Sequence, residues 1–388
     1  MKDPETSVLF AGVDGRVDAE LPAWYRATKT ADTVESEADV VTFAEAVRTL
    51  PRAAPTTVAY HDPFDDVWVE TERFNALVEP CRLAEGNAAE QDPLFAIPTD
   101  SYTVINPVDV YGPLGDLLTD TTLDDTALGE AVFGEIRQYR GGGEVHMDVM
   151  FDGLSVELPG RDEPIALGVT SGYDFFGGHA VYVEGFAQDT ACSNSMRALT
   201  DRVTVKHVGD VADFEAWWEQ LLAQLELVTN DLYDFIVDAQ DIALDLTDVP
   251  FDLAEFYTLL EFPDYLAERA AGDARAEAAD PFHVDMWTLH SGATYALTHF
   301  FSGKEGAALD AYTRTANDIL FNPEATLDRV ERTYAEQARA AADEEGSEAA
   351  GPQALAQVER ASADVRAKAE TFEARETLLR ERFQDAAE

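Results

Sequence analysis

An excess of carboxylates decides under what conditions this chain can fold at all. The sequence carries 76 Asp and Glu against 27 Lys and Arg, a formal net charge of -49 on 388 residues. At ordinary ionic strength such a charge opposes compaction by self-repulsion. In molar salt the screening length falls to about 3 Å and the repulsion is nearly silenced. Lys2, Lys29, Lys206, Lys304 and Lys368 are the only lysines, and the other basic side chains are arginines. Arginine's planar, weakly hydrated guanidinium pairs with carboxylates through two bonds at once. A chain this acidic is either disordered or folded in concentrated salt. Its 46% hydrophobic and 10% aromatic content argues for the folded alternative, and so for the interior of an extreme halophile. In such a proteome DNA-binding proteins are acidic too, so the charge does not exclude nucleic acid.

The length allows two domains, or one large domain with appendages. Met1 to Leu9 has one lysine and no apolar run, so no secretory leader is expected. No stretch approaches the roughly 18 to 20 apolar residues that span a bilayer. A soluble, cytoplasmic chain without a membrane partner is expected. Cys81 and Cys192 form no CxxC pair, which fits a reducing interior and excludes a disulfide scaffold or a cysteine-rich zinc site.

The patterning predicts an α+β fold: an antiparallel β-sheet core packed by a long amphipathic helix, followed by a helical C-terminal region. Residues 1–93 read as an irregular N-terminal region with one short helix at Val40 to Leu50, short strands at Thr57 to Tyr60 and Val67 to Val69, and a linker at Leu83 to Pro93. Residues 94–322 read as the core domain. It opens on a strand-like run, Tyr102 to Ile105. Leu128, Val132, Ile136 and Tyr139 suggest a helix closed by Gly141 to Gly143. Val145, Met147, Val149 and Phe151 alternate with Glu144, His146, Asp148 and Asp152, the mark of a half-buried strand. Asp152-Gly153 signals a hairpin turn, with Leu154, Val156 and Leu158 as the returning strand. Ile165 to Ser171, Ala180 to Phe186 and Val203 to Val205 read as further strands. Apolar residues from Phe214 to Ala239 recur at three and four, giving a helix over about Val211 to Ala243, capped by Asp210 and open to a break near Asn230. Shorter helices follow at Phe251 to Leu260, at Pro263 to Arg269, from Asp280-Pro281 through Trp287 to Phe301, and at Ala307 to Leu320. Residues 323–388 read as a helical tail with a hinge at Asp343 to Gln353. Val358, Val365, Phe372 and Leu379 repeat every seven residues, a weak coiled-coil seam.

The densest polar cluster holds Cys192, Asn194, Arg197, Arg202, Lys206 and His207. Arg197, Arg202, Lys206, His207 and Asn194 form the candidate nucleic-acid or anion site, ahead of a helix start with free backbone N–H groups. The bland alternative is a set of surface pairs with nearby acids. Cys192 would need a base such as His207 to act as a nucleophile; a buried free cysteine is the commoner outcome. His146 and Asp148 share a strand face and, with His179 or Glu184, could hold a metal for phosphodiester hydrolysis; otherwise they line the solvent face of a hairpin. His283, His290 and His299 are spaced wrongly for one ion. Gly141 to Gly143 is not followed by Lys-Ser or Lys-Thr, and Ser171 sits in no nucleophile elbow. No catalytic residue, metal or cofactor is therefore assigned, and the chain is expected not to be an enzyme.

Several blocks together resemble the phage/plasmid-like family known as domain of unknown function 932. They are IPTDSYTVINPVDVYGPL, GGGEVHMDVMFDG, ACSNSM with VKHVGDV, and the helices at Trp287 to Phe301 and Tyr312 to Leu320. Cys192, Asn194, Lys206 and His207 occupy the family's places before the long helix. The arginine expected ahead of the cysteine is replaced by Gln188-Asp189-Thr190-Ala191. The resemblance covers about Leu94 to Leu320. It implies a protein carried by proviruses, plasmids or viruses, here a haloarchaeal one, and its strand and helix order is similar to that of phage single-strand annealing proteins.

These readings together suggest a non-enzymatic DNA-metabolism accessory of a mobile element that binds or anneals single-stranded DNA. Its cations would lie beside the aromatics Tyr173, Phe175, Phe176, Tyr182 and Phe186. In molar salt the affinity would come from base stacking, about 1 to 3 kcal/mol per base. The alternatives are a structural or interaction protein of a mobile element that self-associates through its C-terminal helices, and a metal-dependent nuclease using His146 and Asp148.

Overall fold

The computed structural model describes residues 4–15, 40–84, 92–120, 122–123, 126–157, 164–178, 180–189, 195–196, 203–207, 213–303, 307–345 and 354–360, with single positions 363, 365 and 368. The fold is α+β. Its centre is a seven-stranded antiparallel sheet built from β1 (Thr6–Ala11), β7 (Val132–Tyr139), β8 (Glu144–Val156), β9 (Ile165–Asp174), β10 (Val181–Asp189), β11 (Ser195–Met196) and β12 (Val203–Val205). The spatial order is β1-β7-β8-β9-β10-β11, with β12 also paired to β10.

Two expectations for this region fail for local reasons. The helix expected over Leu128 to Tyr139 is a short 3-10 turn, Leu128–Ala131, followed by β7. Val132 and Ile136 are four apart, which suits one face of a helix and equally one face of a strand. The β-branched and aromatic content of VFGEIRQY, flanked by β1 and β8, decides for the strand. The Asp152-Gly153 turn is no turn either. β8 runs straight through it, with an irregularity in register between Phe151 and Ser155, so Leu154 and Val156 stay on the same strand and enter the core. The reversal comes earlier, between Tyr139 and Glu144, where Arg140, Gly141 and Gly142 take positive φ of 54, 67 and 82°.

The described residues of the expected irregular region 1–93 are not an appendage. β1 forms an edge of the central sheet, pairing with β7 from Thr6↔Gln138 to Ala11↔Phe133. Helix α1 (Phe43–Arg48) begins at a capping box in which Thr42 and Glu45 satisfy each other's backbone N–H. Phe43 meets Phe10 edge to face at 5.2 Å, and both lie in the main core. A boundary at 93/94 would therefore cut through sheet and core. A separate three-stranded sheet follows, β2 (Ala54–Asp62), β3 (Val67–Val78) and β4 (Leu94–Ala96), with the single helical turn α2 (Pro80–Ala84) between β3 and β4. Tyr102 to Ile105, expected as a strand, is irregular apart from one bridge residue.

One face of the central sheet carries Val132, Ile136, Val145, Met147, Val149, Leu167, Val169 and Val183 into the main core. Helix α3 (Pro107–Asp120) and the long helix α4 (Phe214–Gln240) belong to the same core. The strands β5 (Thr122–Leu123) and β6 (Thr126–Ala127) form a small hairpin after α3. α4 is continuous, without the break allowed near Asn230. It starts after Asp213, whose carboxylate accepts from the Ala216 N–H at 3.2 Å; Asp210 lies outside the described residues. Trp218 is wholly buried and donates its indole N–H to the Val110 carbonyl at 2.7 Å, tying α4 to α3.

The C-terminal half is helical, as the apolar spacing predicts. It comprises β13 (Ala243–Asp245), α5 (Leu253–Leu259), α6 (Asp264–Glu277), β14 (His283–Asp285), α7 (Met286–Phe300), α8 (Ala307–Phe321) and α9 (Pro323–Glu345). Asp252 with Glu255 caps α5, and Asp285 caps α7. Gly292 of α7 lets the α6 backbone come close: a Cβ there would sit 2.5 Å from the Ala270 carbonyl. Val358 and Val365, two positions of the heptad repeat, are buried in this chain's own core. Phe372, Leu379 and the hinge at 346–353 lie outside the described residues.

Candidate functional site

The residues singled out from sequence are only partly placed. Asn194, Arg197, Arg202, Cys192 and His179 lie outside the described residues. Lys206 is exposed just after β12, while His207 is buried. The His207 ring stacks on Tyr102 at 4.8 Å with an 8° interplanar angle, and its Nδ1 lies 3.2 Å from the Thr103 carbonyl. The Thr103 N–H in turn donates to the His207 carbonyl at 2.8 Å. His207 thus fastens the segment before α4 to the segment before α3. The sheet aromatics do not form a stacking surface: Tyr173, Phe175, Tyr182 and Phe186 are buried and Phe176 is half-buried.

The alternating polar residues of β8 were expected on a solvent face, and the structure buries them. Glu135, Arg137, Glu144, His146, Asp148, Thr170, Asp174 and Glu184 converge on the second face of the central sheet, all within its interior. The register sets Glu135 opposite Asp148, Asp148 opposite Thr170 and Thr170 opposite Glu184 on four successive strands. Arg137 donates to Asp148 at 2.7 Å and to Glu135 at 3.3 Å. Thr170 donates to the other Asp148 oxygen at 2.8 Å, and the Ser7 hydroxyl donates to Glu135. His146 looks elsewhere: Nδ1 is 3.0 Å from the Tyr182 hydroxyl and Nε2 is 3.5 Å from Glu144. His146 and Asp148 therefore share a strand face but serve different partners. Among the described residues no group of three or more His, Cys, Asp or Glu side chains is arranged to hold a metal ion. Asp148 and Glu135 are thus charge-compensated by an arginine in the interior of the sheet.

The other histidines and Ser171 also have structural partners. His290 is fully buried, 3.4 Å from the Asn317 side-chain oxygen, and burial pushes its pKa down to about 4. His283 is exposed between Asp245 (3.1 Å) and Asp280 (3.2 Å). Asp245 is held below the usual carboxylate range, first by the Thr247 hydroxyl and amide and then by His283. His299 packs on Tyr295 at 4.8 Å. Ser171 donates to the Tyr182 carbonyl at 2.7 Å.

What the sequence reading passed over is the small sheet of the front section. Tyr60, Phe64, Val67 and Trp68 on β2, β3 and their turn, with Leu83, Leu94 and Ile97 near its base, make up most of the large apolar side chains exposed among the described residues. Phe64, at the turn, is 94% exposed and Trp68 72%. β4 pairs only with Leu77 and Val78, so between Val58 and Thr71 the sheet narrows to two strands. That distal arm is about 17 Å long, five residues at 3.4 Å each. Alternation puts Val58, Tyr60, Val67 and Val69 on one face, and His61 and Trp68 on the other, where their rings meet at 5.5 Å. The available signal was two aromatic, β-branched runs around a Pro-containing turn, HDPFDD.

No family model matches this chain, and neither does any curated protein or solved structure.

Proposed function

We propose that this chain is a non-enzymatic docking protein that engages a protein partner through the β2–β3–β4 sheet, in the setting of a haloarchaeal mobile element suggested by its short sequence blocks. One observation carries the reading: among the described residues, most of the exposed large apolar side chains lie on or beside one small sheet. Contiguous exposed apolar surface marks protein contact sites, and an isolated two-stranded hairpin is only marginally stable in water. Molar salt strengthens apolar burial while it silences charge, so a contact of this kind suits the conditions the composition demands.

Single-stranded DNA is the competing ligand, because Tyr60, Phe64 and Trp68 offer exposed rings to bases. Against it, Tyr60 and Trp68 stand on opposite faces of the arm, so one strand cannot stack its bases on both. A triple variant, Tyr60→Ser with Phe64→Ser and Trp68→Ser, separates the two. Proteins that co-purify with the wild-type chain in molar KCl should be lost from the variant while its circular dichroism is unchanged. Retention of the same proteins by the variant refutes the docking reading. Anisotropy of a labelled oligothymidylate at micromolar protein reads the DNA alternative directly.

A further inference from the structure

We propose that the occupant of the arm is a second copy of this chain, its β2 strand pairing antiparallel with β2 about a two-fold axis at Val58. The proposal rests on the docking reading above and names its partner.

β2 is the outer strand of its sheet, so its free edge is a template for another strand. Its sequence, APTTVAYHD, carries one formal charge, Asp62 at the far end, in a chain of net charge -49. Two such chains can meet along this edge without opposing carboxylates. Pro55 lacks an N–H and limits pairing towards the base. Thr56 to Tyr60 remain as the pairing core. In antiparallel register about Val58, Thr56 lies across from Tyr60, Thr57 from Ala59, and Val58 from its own copy. Each Asp62 then faces Ala54, and the two Asp62 residues lie at opposite ends of the contact.

The ends of the arm are complementary in charge. The tip carries Asp62, Asp65 and Asp66, of which Asp66 is 2.9 Å from His61 of its own chain. The base carries the exposed Arg52 and, four residues earlier, the exposed Arg48. Among the described residues neither arginine is held by a carboxylate of its own chain. The same register that puts Val58 on the axis carries the acidic tip of one arm to the arginine base of the other, and this happens twice. Such self-complementarity is what a closed two-fold contact requires.

Sedimentation equilibrium and light scattering of the full chain in molar KCl test this. A dimer is expected, and Val58→Asp should raise its dissociation constant about tenfold or more without changing the circular dichroism, since Val58 is only half-buried. A second arm uses charge reversal at the lowest KCl that keeps the fold. Arg48→Asp with Arg52→Asp places acid on both ends of the arm, and Asp65→Arg with Asp66→Arg places base on both. Each double variant alone should be monomeric, and an equimolar mixture should restore a dimer of one chain of each kind. A wild-type monomer at every concentration, or a dimer that Val58→Asp leaves as tight, overturns the proposal. The docking reading is judged separately, by the co-purification experiment: it survives a monomeric wild type if other proteins still depend on Tyr60, Phe64 and Trp68.

Discussion

The second face of the central sheet and the β2–β3 arm are both strands that alternate polar with apolar residues, yet they have opposite fates. On the central sheet the polar set, Glu135, Arg137, His146, Asp148, Thr170 and Glu184, is buried, and Arg137, Asp148 and Thr170 link three neighbouring strands. On the arm the apolar set, Tyr60, Val67 and Trp68, stands in water. Alternation tells which residues share a face; it does not tell what lies above that face. Buried ionic groups hold where donors and acceptors from several strands meet, and the apolar groups of the arm stay exposed where no described segment packs above them.

The largest effect expected from this contrast is at Arg137. Replacing it by Met leaves Asp148 and Glu135 buried without their guanidinium, at a cost of about 3–5 kcal/mol. Urea denaturation in molar KCl should show it, and a loss below about 1 kcal/mol would mean that water reaches this face. Next is Gly134→Ala on β7, on the opposite face of the same sheet. The added Cβ would fall 2.2 Å from both the Asp148 carbonyl and the Phe10 ring, so overpacking should cost about 1–3 kcal/mol. A tolerated alanine would show that β1 and β8 can part locally.

A buried titratable group outside the sheet tests whether burial alone sets such costs. The unfolded chain accepts a proton on His290 near the ordinary value of 6.5, whereas the folded one resists until about pH 4. Stability from this group is full above the unfolded value and is lost as pH falls from there towards the folded one. Between pH 7.5 and 5 the loss should be about 2 kcal/mol, and His290→Gln should remove that part of the slope while keeping a partner for Asn317. An unaltered slope would assign it to other groups. The smallest effect is expected on the arm: Trp68→Ser should change stability by less than about 0.5 kcal/mol. A larger loss would mean that the arm is part of the folded body.

The regions that could be read in advance are those where a single period competes with nothing. Phe214 to Ala239 keep helical spacing through the 27-residue α4, and α5 falls within the helix expected at Phe251 to Leu260. β9, β10 and β12 follow from their β-branched runs. β7 was misread because Val132 and Ile136 satisfy two periods together. β1 was missed because TSVLFA becomes a strand only by pairing with residues more than a hundred positions away. For the proposed site the pattern showed two short strands about a turn, but not that they stand clear of the body; the cation cluster it favoured puts Lys206 in solvent and His207 in the interior.

By itself the sequence determined the α+β class, the long helix and the helical second half, because local periodicity is a property of neighbouring residues. Only the tertiary structure decided that the ionic face of β7–β10 lies inside and the aromatic arm outside, because burial depends on which distant segments pack above a face. A carboxylate on one strand becomes tolerable there only when an arginine from the next strand meets it.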